Sequence, residues 1–321
     1  MTNNNHELHV ILGTGPLGMA VMQELRSRGK RVRLVNRSGK ADVPKDEPIE
    51  VTKGDVSNFA KTYEACQGAI VIYNCINAPY TQWPETFPSL MDGIIEVVAA
   101  TGAKLVCADN LYMYGPVSEP LTEDLPYAAT GRKGRTRVQI ATRLMTAHQS
   151  GKVRATIGRA SDFYGPRVLN SAVGERVFAA ALMGKAADVL GNPDVPHTYT
   201  FIGDFAKGLV TLGERDEALG KTWHIPSAKT LTTRQFIELV FKEVGTAPKF
   251  RVASRLLVTA MGWFNPTIRE VKEMLYEFEE PFVVDHSQYE RAFGSDTTLH
   301  EEAIQQTVAW YRQRLQATSL K

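Results

Sequence analysis

Residues 8–29 read "LHVILGTGPLGMAVMQELRSRG", and this stretch fixes more of the fold than any other. A short apolar run stops at a glycine, and a segment with apolar residues at helical spacing follows and ends at Gly29. A buried strand joined by a glycine-rich turn to a helix opens a βαβ unit, which commits the chain to a parallel sheet. Gly13 permits the tight turn, Gly15 lets the backbone approach a pyrophosphate, and Gly18 allows helix and strand to pack closely. With Thr14, Pro16 and Leu17 between them, these residues set a helix N-terminus, with free N–H groups and partial positive charge, where a dinucleotide's phosphates would lie.

The same alternation continues. "KRVRLVNR", "AIVIYNCI", "AKLVCAD" and "VRATIGRA" read as further buried strands. Between them, "SLMDGIIEVVAATGA" has helical spacing with Gly102 as its end, and Val138, Ala141, Leu144, Met145 and His148 share one face of a helix over 135–151. Strands alternating with helices predict a doubly wound parallel α/β sheet. Beyond about residue 165 the regularity weakens. "LTTRQFIELVFKEVG" opens with threonines suited to a helix start, two helical pieces flank "FNP", and "HEEAIQQTVAWYRQRL" closes the chain. The expected division is a dinucleotide-binding domain over 1–170, with a returning segment at about 198–225, and a smaller, mostly helical substrate-binding lobe over 171–321.

Composition excludes several partners. The chain has 321 residues, 43% hydrophobic and 22% charged, which is ordinary for a globular protein. Its net charge is only +2, so "GRKGRTR" at 131–137, with four cations, is a local feature and no nucleic-acid partner is expected. Cys66, Cys75 and Cys107 lack metal-ligand spacing, so no metal site is expected and buried reduced thiols are the default. The start "MTNNNHELHV" lacks the order of a signal peptide, and no apolar run reaches the ~18 residues of a membrane span. The expectation is a cytoplasmic protein without a membrane partner.

The end of the second strand bears on the cofactor. An acid there would accept from the ribose 2′-OH of NAD, but this chain has Asn36, Arg37 and Ser38. A cation beside a hydroxyl and an amide suits a 2′-phosphate, so NADP is favoured over NAD, unless Arg37 is simply solvated. In "KGDVSN", Asp55 either bonds the adenine amino group, with the Val56 backbone on the ring, or caps a helix.

Taken in order, these motifs resemble the extended short-chain dehydrogenase/reductases, the NAD(P)-dependent epimerase/dehydratase family. "GTGPLG" is similar to its glycine loop and "KGDVSN" to its adenine motif. "VIYNCINA" is similar to the strand under the cofactor, which implicates Asn74 and Cys75. "LVCADNLYMYGP", "IGRASDFYGP", "HTYTFIGDFAKGLVTLGE", "TWHIPSAKTLTTRQF" and "VVDHSQYERAFG" resemble later family patterns, so the likeness spans nearly the whole chain. It implies a Rossmann-like fold with a cleft at the strand ends, and often a homodimer formed through the helices near 86–101 and 135–150.

The family's chemistry rests on a Ser/Thr, and on a Tyr and a Lys spaced Tyr-x-x-x-Lys, and here the chain departs from it. The Ser/Thr position is Asn110, which either donates its amide to a substrate oxygen or serves a turn. The Tyr becomes Lys133 and the Lys becomes Arg137, while Gly134 and Thr136 align between them. Tyr112, Tyr114 and Tyr127 do not restore the spacing. Lys133 and Arg137, at i and i+4, share a helix face: a lysine partly desolvated beside a guanidinium loses pKa and acts as a base, or both cations serve only cofactor or solvent. Asp162 and Asp92 are each a general base, a partner for Lys133, or a capping or core group. Asp162, Tyr112 and His197 occupy positions that in the family lie near substrate, as does Tyr199. Two functions follow: an NADP-dependent oxidoreductase or epimerase-like enzyme acting on a small-molecule hydroxyl or carbonyl, or a catalytically weak or inactive NADP(H)-binding protein.

Overall fold

The structure, a computed structural model, describes residues 7–44 and 49–319. The chain divides into two compact units. The first comprises residues up to 113, 132–159 and 206–225; the second comprises 114–131, 160–205 and the chain from 226.

The first unit is a seven-stranded parallel sheet with helices around it, and it has the doubly wound, Rossmann-like architecture. Its strands are β1 (Leu8–Leu12), β2 (Arg31–Asn36), β3 (Glu50–Lys53), β4 (Ala69–Asn74), β5 (Lys104–Asp109), β6 (Arg154–Arg159) and a last strand, Thr222–His224. The order across the sheet is last strand–β6–β5–β4–β1–β2–β3. All five residues of β1 are buried, as a central strand covered on both faces requires. The chain winds outward through β2 and β3 and then returns to the other side of β1 as β4. That reversal makes the carboxyl ends of β1 and β4 the switch point where such sheets bind ligands.

Four helices belong wholly to this unit: α1 (Pro16–Ser27), α2 (Phe59–Cys66), α3 (Trp83–Thr101) and α4 (Arg132–Gln149). Gly102 ends α3 in the left-handed region at φ 71°, which needs a residue without Cβ. Phe87, Met91, Ile94, Ile95 and Val98 of α3 pack in one core with Ile140, Ala141, Leu144 and Ala147 of α4. The buried stripe of α4 therefore runs through Ile140 and Ala147, whereas Val138, Met145 and His148 are half-buried.

In the second unit, Thr232 caps the helix Thr233–Val244 through a reciprocal box with Gln235. The helices Arg255–Gly262 and Pro266–Val271 flank the "FNP" interruption, and His300–Ser319 closes the chain. The unit is mostly helical. Three short strand pairs join it: Phe163–Tyr164 with Thr200–Phe201, Pro196–His197 with Leu231–Thr232, and Ala187–Leu190 with Phe250–Ala253. No described helix is long and apolar enough to cross a membrane.

Candidate active site

The glycine loop is held by its own backbone. Gly13 has φ +98° and donates its N–H to Val35 O at 2.9 Å, while a Cβ there would lie 2.9 Å from Cys75 O. A Cβ on Gly18 would stand 2.0 Å from Gly13 O, so the loop closes on its helix only with glycine at that position. Gly15 differs: a Cβ there would meet nothing within 4 Å. It precedes α1, whose N-terminus has no side-chain cap and no acid in the first turn. Exposed backbone at Gly15 beside uncapped N–H groups fits a dinucleotide's phosphates.

At the end of β2, Asn36 spends its carboxamide on the loop. Oδ1 accepts from Ser38 N, Ser38 Oγ and Gly39 N, and Nδ2 donates to Thr14 Oγ1 at 2.8 Å and to Lys40 O at 2.7 Å. Asn36 thus shapes the loop and ties it to the glycine turn, while Arg37, Ser38 and Lys40 are exposed. Asp55 does not cap α2; Asn58 does, accepting from Lys61 N. The Asp55 carboxylate takes the Ser57 N–H and hydroxyl, which hold it below the usual carboxylate range, with the Arg37 charge adding to the effect. Val56 is buried, and its carbonyl lies where a Cβ on Gly93 of α3 would fall.

Leu12, Asn74 and Cys107 form one row across β1, β4 and β5. Asn74 accepts from Ile76 N and donates to Cys107 Sγ at 3.5 Å, and the Cys75 N–H donates to Leu12 O. Burial pushes the Cys66 and Cys107 thiols up to about 12, and the Cys75 thiol up as well. All three cysteines are free. A small, partly open cleft lies beside Asn74, Cys107, Ala108 and Arg137.

Two residues beyond Cys107, the strand ends in a cage of charge. Asp109 is buried; it accepts from Arg137 Nη1 at 3.2 Å and ion-pairs with Arg159 Nε at 3.6 Å. The Arg137 guanidinium also lies 4.1 Å from the Trp83 ring centre and 4.3 Å from that of Phe87. Lys133 is 0% exposed; its ammonium donates to Tyr80 O and sits 3.7 Å from the Tyr80 ring centre. The Trp83 ring stacks on Tyr112. Of the four cations in 131–137, Arg132 and Arg135 are exposed while Lys133 and Arg137 are buried. Asn110 takes the turn role with its oxygen, accepting the Tyr112 N–H at 3.2 Å.

Tyr80, Trp83, Asp109 and Arg159 escaped the sequence reading as site residues. The spacing of Tyr80, Trp83 and Phe87 marks a helical face but says nothing of which cations it will cover. Asp92 is on the surface of α3, paired with Arg143 and not with Lys133.

The second unit brings Asp162 and His197 together. His197 Nε2 lies 3.1 Å from Asp162 Oδ2, and its Nδ1 lies 2.9 Å from the carbonyl oxygen of Glu277. The imidazole is fully buried, stacked on Phe278 and Phe282 and tilted against Tyr199. Both ring nitrogens of His197 are thus engaged inside the unit. Burial raises the Tyr199 phenol, whose hydroxyl bonds Thr233 Oγ1. Tyr127, half-turned to solvent, meets Tyr114 edge-on.

A model of the NAD dependent epimerase/dehydratase family matches residues 10–225. No curated protein matches at the level of sequence. Among solved structures, the dTDP-glucose 4,6-dehydratase of Bacillus anthracis in complex with NAD is similar, with a TM-score of 0.80 at 15% identity over 98% of this chain and 100% of that one. The dTDP-glucose 4,6-dehydratase of Streptomyces venezuelae with NAD gives 0.79 at 16% identity, over 98% and 100%. The UDP-glucose 4-epimerase of Thermus thermophilus with NAD gives 0.74 at 18%, over 95% and 99%. At these identities the likeness is one of fold.

Proposed function

The chain belongs to the NAD dependent epimerase/dehydratase family, a class of nicotinamide-dependent oxidoreductases and epimerases, and on that premise we propose that it is NADP-dependent and works on a hydroxyl or carbonyl of a small molecule through an altered site. One observation carries the reading. The row Leu12–Asn74–Cys107 joins the glycine loop to the strand ends, and the Lys133–Arg137–Asp109 cage begins two residues farther along β5.

Gly13 to Gly18 would hold the pyrophosphate, Asn74 and Cys75 would line the nicotinamide half, and Asp55 with Val56 would meet the adenine. When bound, the nicotinamide supplies or accepts a hydride. Asn110 has its amide nitrogen to offer a substrate oxygen. Lys133 and Arg137 make the strand ends electropositive, which stabilises negative charge developing on that oxygen. With its ammonium covered by Tyr80, Lys133 acts through its field. Arg37, Ser38 and Lys40 with no acid among residues 36–40 favour the 2′-phosphate of NADP, although the solved relatives hold NAD. The free, high-pKa thiols suit a reducing cytoplasm.

A second reading, an NADP(H)-binding protein with little or no turnover, is favoured by the same cage: both cations are already engaged by Tyr80 and Asp109. The test is turnover of UDP-glucose, UDP-glucuronate, dTDP-glucose and simple ketones with each nicotinamide. Turnover lost in Lys133→Met with cofactor affinity kept supports the enzyme; tight binding with no turnover of any probe supports the second reading. NADPH should bind at least about 10-fold more tightly than NADH, with Arg37→Ala erasing most of the difference. Equal binding of the two by the unmodified protein would refute NADP preference.

A further inference from the structure

Five of the ten large apolar side chains left exposed among the described residues fall between 252 and 264: Val252, Leu256, Met261, Trp263 and Phe264. Scattered exposure needs no explanation, but a cluster of this kind marks a contact surface. All of it lies in the second unit.

The local fold gathers the cluster on one helix face and the turn that follows. The helix Arg255–Gly262 leads through residues 263–265 into the helix Pro266–Val271. Val258 and Gly262, four residues apart, are buried, and a Cβ on Gly262 would stand 3.1 Å from Arg269 Cα, so the two helices close on each other there. Leu256, Ala260 and Trp263, at spacings of four and three, are turned to solvent as one apolar stripe. Trp263, 78% exposed, and Phe264, 89% exposed, end that stripe at the turn.

The backbone of the turn needs no water. Trp263 N donates to Ala260 O, and Phe264 N and Asn265 N both donate to Met261 O. Asn265 Oδ1 accepts from Ile268 N, which caps the second helix. N–H groups already paired within the chain enter an apolar medium without the cost of orphaned donors.

Charge selects the occupant. Residues 249–272 carry Lys249, Arg251, Arg255, Arg269 and Lys272, all exposed, against one acid, Glu270. Asp188 answers Arg251 and Glu279 answers Arg255, which still leaves the segment positive. An apolar face ending in Trp and Phe and flanked by cations is complementary to an anionic lipid surface, with the rings at the acyl boundary and the cations among the headgroups. A second copy of this chain fits less well. A stable protein interface engages roughly 20–30 residues a side, and a two-fold contact would bring these cations together.

We propose that the turn at 263–265 and the outward face of Arg255–Gly262 dock the protein on anionic membranes, lying in the interface without crossing it. The expectation of no membrane partner rested on the lack of an apolar run of ~18 residues, a length that a span requires and surface docking does not. The inference is independent of the reaction the first unit supports.

Vesicles of phosphatidylcholine alone, and of equal parts phosphatidylcholine and phosphatidylserine, test it on the full chain. Cosedimentation with the anionic vesicles should exceed that with the neutral ones by at least about 10-fold and fall as salt is raised. Phosphatidylcholine brominated in its acyl chains, placed in the anionic vesicles, should quench Trp263, since Trp83 and Trp223 are buried, and Trp263→Phe should abolish that quenching. Trp263→Ala combined with Phe264→Ala should lower vesicle binding by about 10-fold or more at an unchanged melting temperature. Arg269→Gln combined with Lys272→Gln should remove most of the preference for the anionic vesicles. Absent or equal binding to the two vesicles, or quenching that survives in Trp263→Phe, overturns the inference. So does a dimer in sedimentation velocity that the Trp263→Ala, Phe264→Ala variant abolishes, because the surface then belongs to a second copy.

Discussion

The glycine loop at residues 13–18 and the cation cage at the start of α4 belong to the same unit, yet they are held in opposite ways. The loop works by absent side chains: Gly13 and Gly18 are places where any Cβ would strike backbone. The cage works by side chains gathered from four elements, with Lys133 and Arg137 from α4, Asp109 from β5, Arg159 from β6 and Trp83 from α3. A backbone device is local and leaves its mark in a few consecutive residues. A side-chain cage exists only after the sheet has formed, and its sequence mark, a lysine and an arginine four apart, is ambiguous.

The largest expected effect breaks the cage. Asp109→Ala removes the carboxylate shared by two buried guanidiniums and should cost about 3–5 kcal/mol, because cations left uncompensated in the interior are expensive. Chemical denaturation measures it; a loss below about 1 kcal/mol would mean the charges are solvated. Next is the loop. Gly18→Ala forces a methyl against Gly13 O and should cost about 1–3 kcal/mol together with nucleotide affinity, as read by melting with and without NADPH. Smaller again is the lid over Lys133: Tyr80→Leu removes the ring from the ammonium and should cost about 0.5–2 kcal/mol, while Tyr80→Phe keeps most of it.

The difference between the two devices also explains how much was legible. The run "LHVIL" announced β1 because a strand buried on both faces has to be apolar throughout, and "LTTRQFIELVFKEVG" announced its helix because Thr232 and Gln235 form a local box. The two-residue strands around His197 have no periodicity to read, so its neighbours stayed hidden. Asp162 and His197 were each picked out by position, but their bond joins residues 35 apart and depends on Thr200 and Leu231 pinning the backbone. Glu277 left no trace at all: in sequence it is one more acid in a charged helix, and only burial makes it unusual. Asn36 was legible in place, but the bonds its amide makes to the loop it begins were not, because they depend on how that loop folds back.

The smallest effect on stability is the sharpest probe of what the loop is for. Gly15 has φ −70° and ψ −177°, a conformation alanine adopts freely, and a methyl there touches nothing. Gly15→Ala should therefore leave the fold intact or stabilise it by about 0.4–1 kcal/mol, by reducing the freedom of the unfolded chain. If the pyrophosphate is to rest against that backbone, the same methyl should lower nucleotide affinity by about 10-fold or more, so stability and binding move in opposite directions. A calorimetric titration of the variant with NADPH and NADH, set beside its melting temperature, separates the two. Unchanged affinity would mean that the open space at Gly15 is not where the nucleotide lies, and the contrast between a loop built for a ligand and a cage built for itself would collapse.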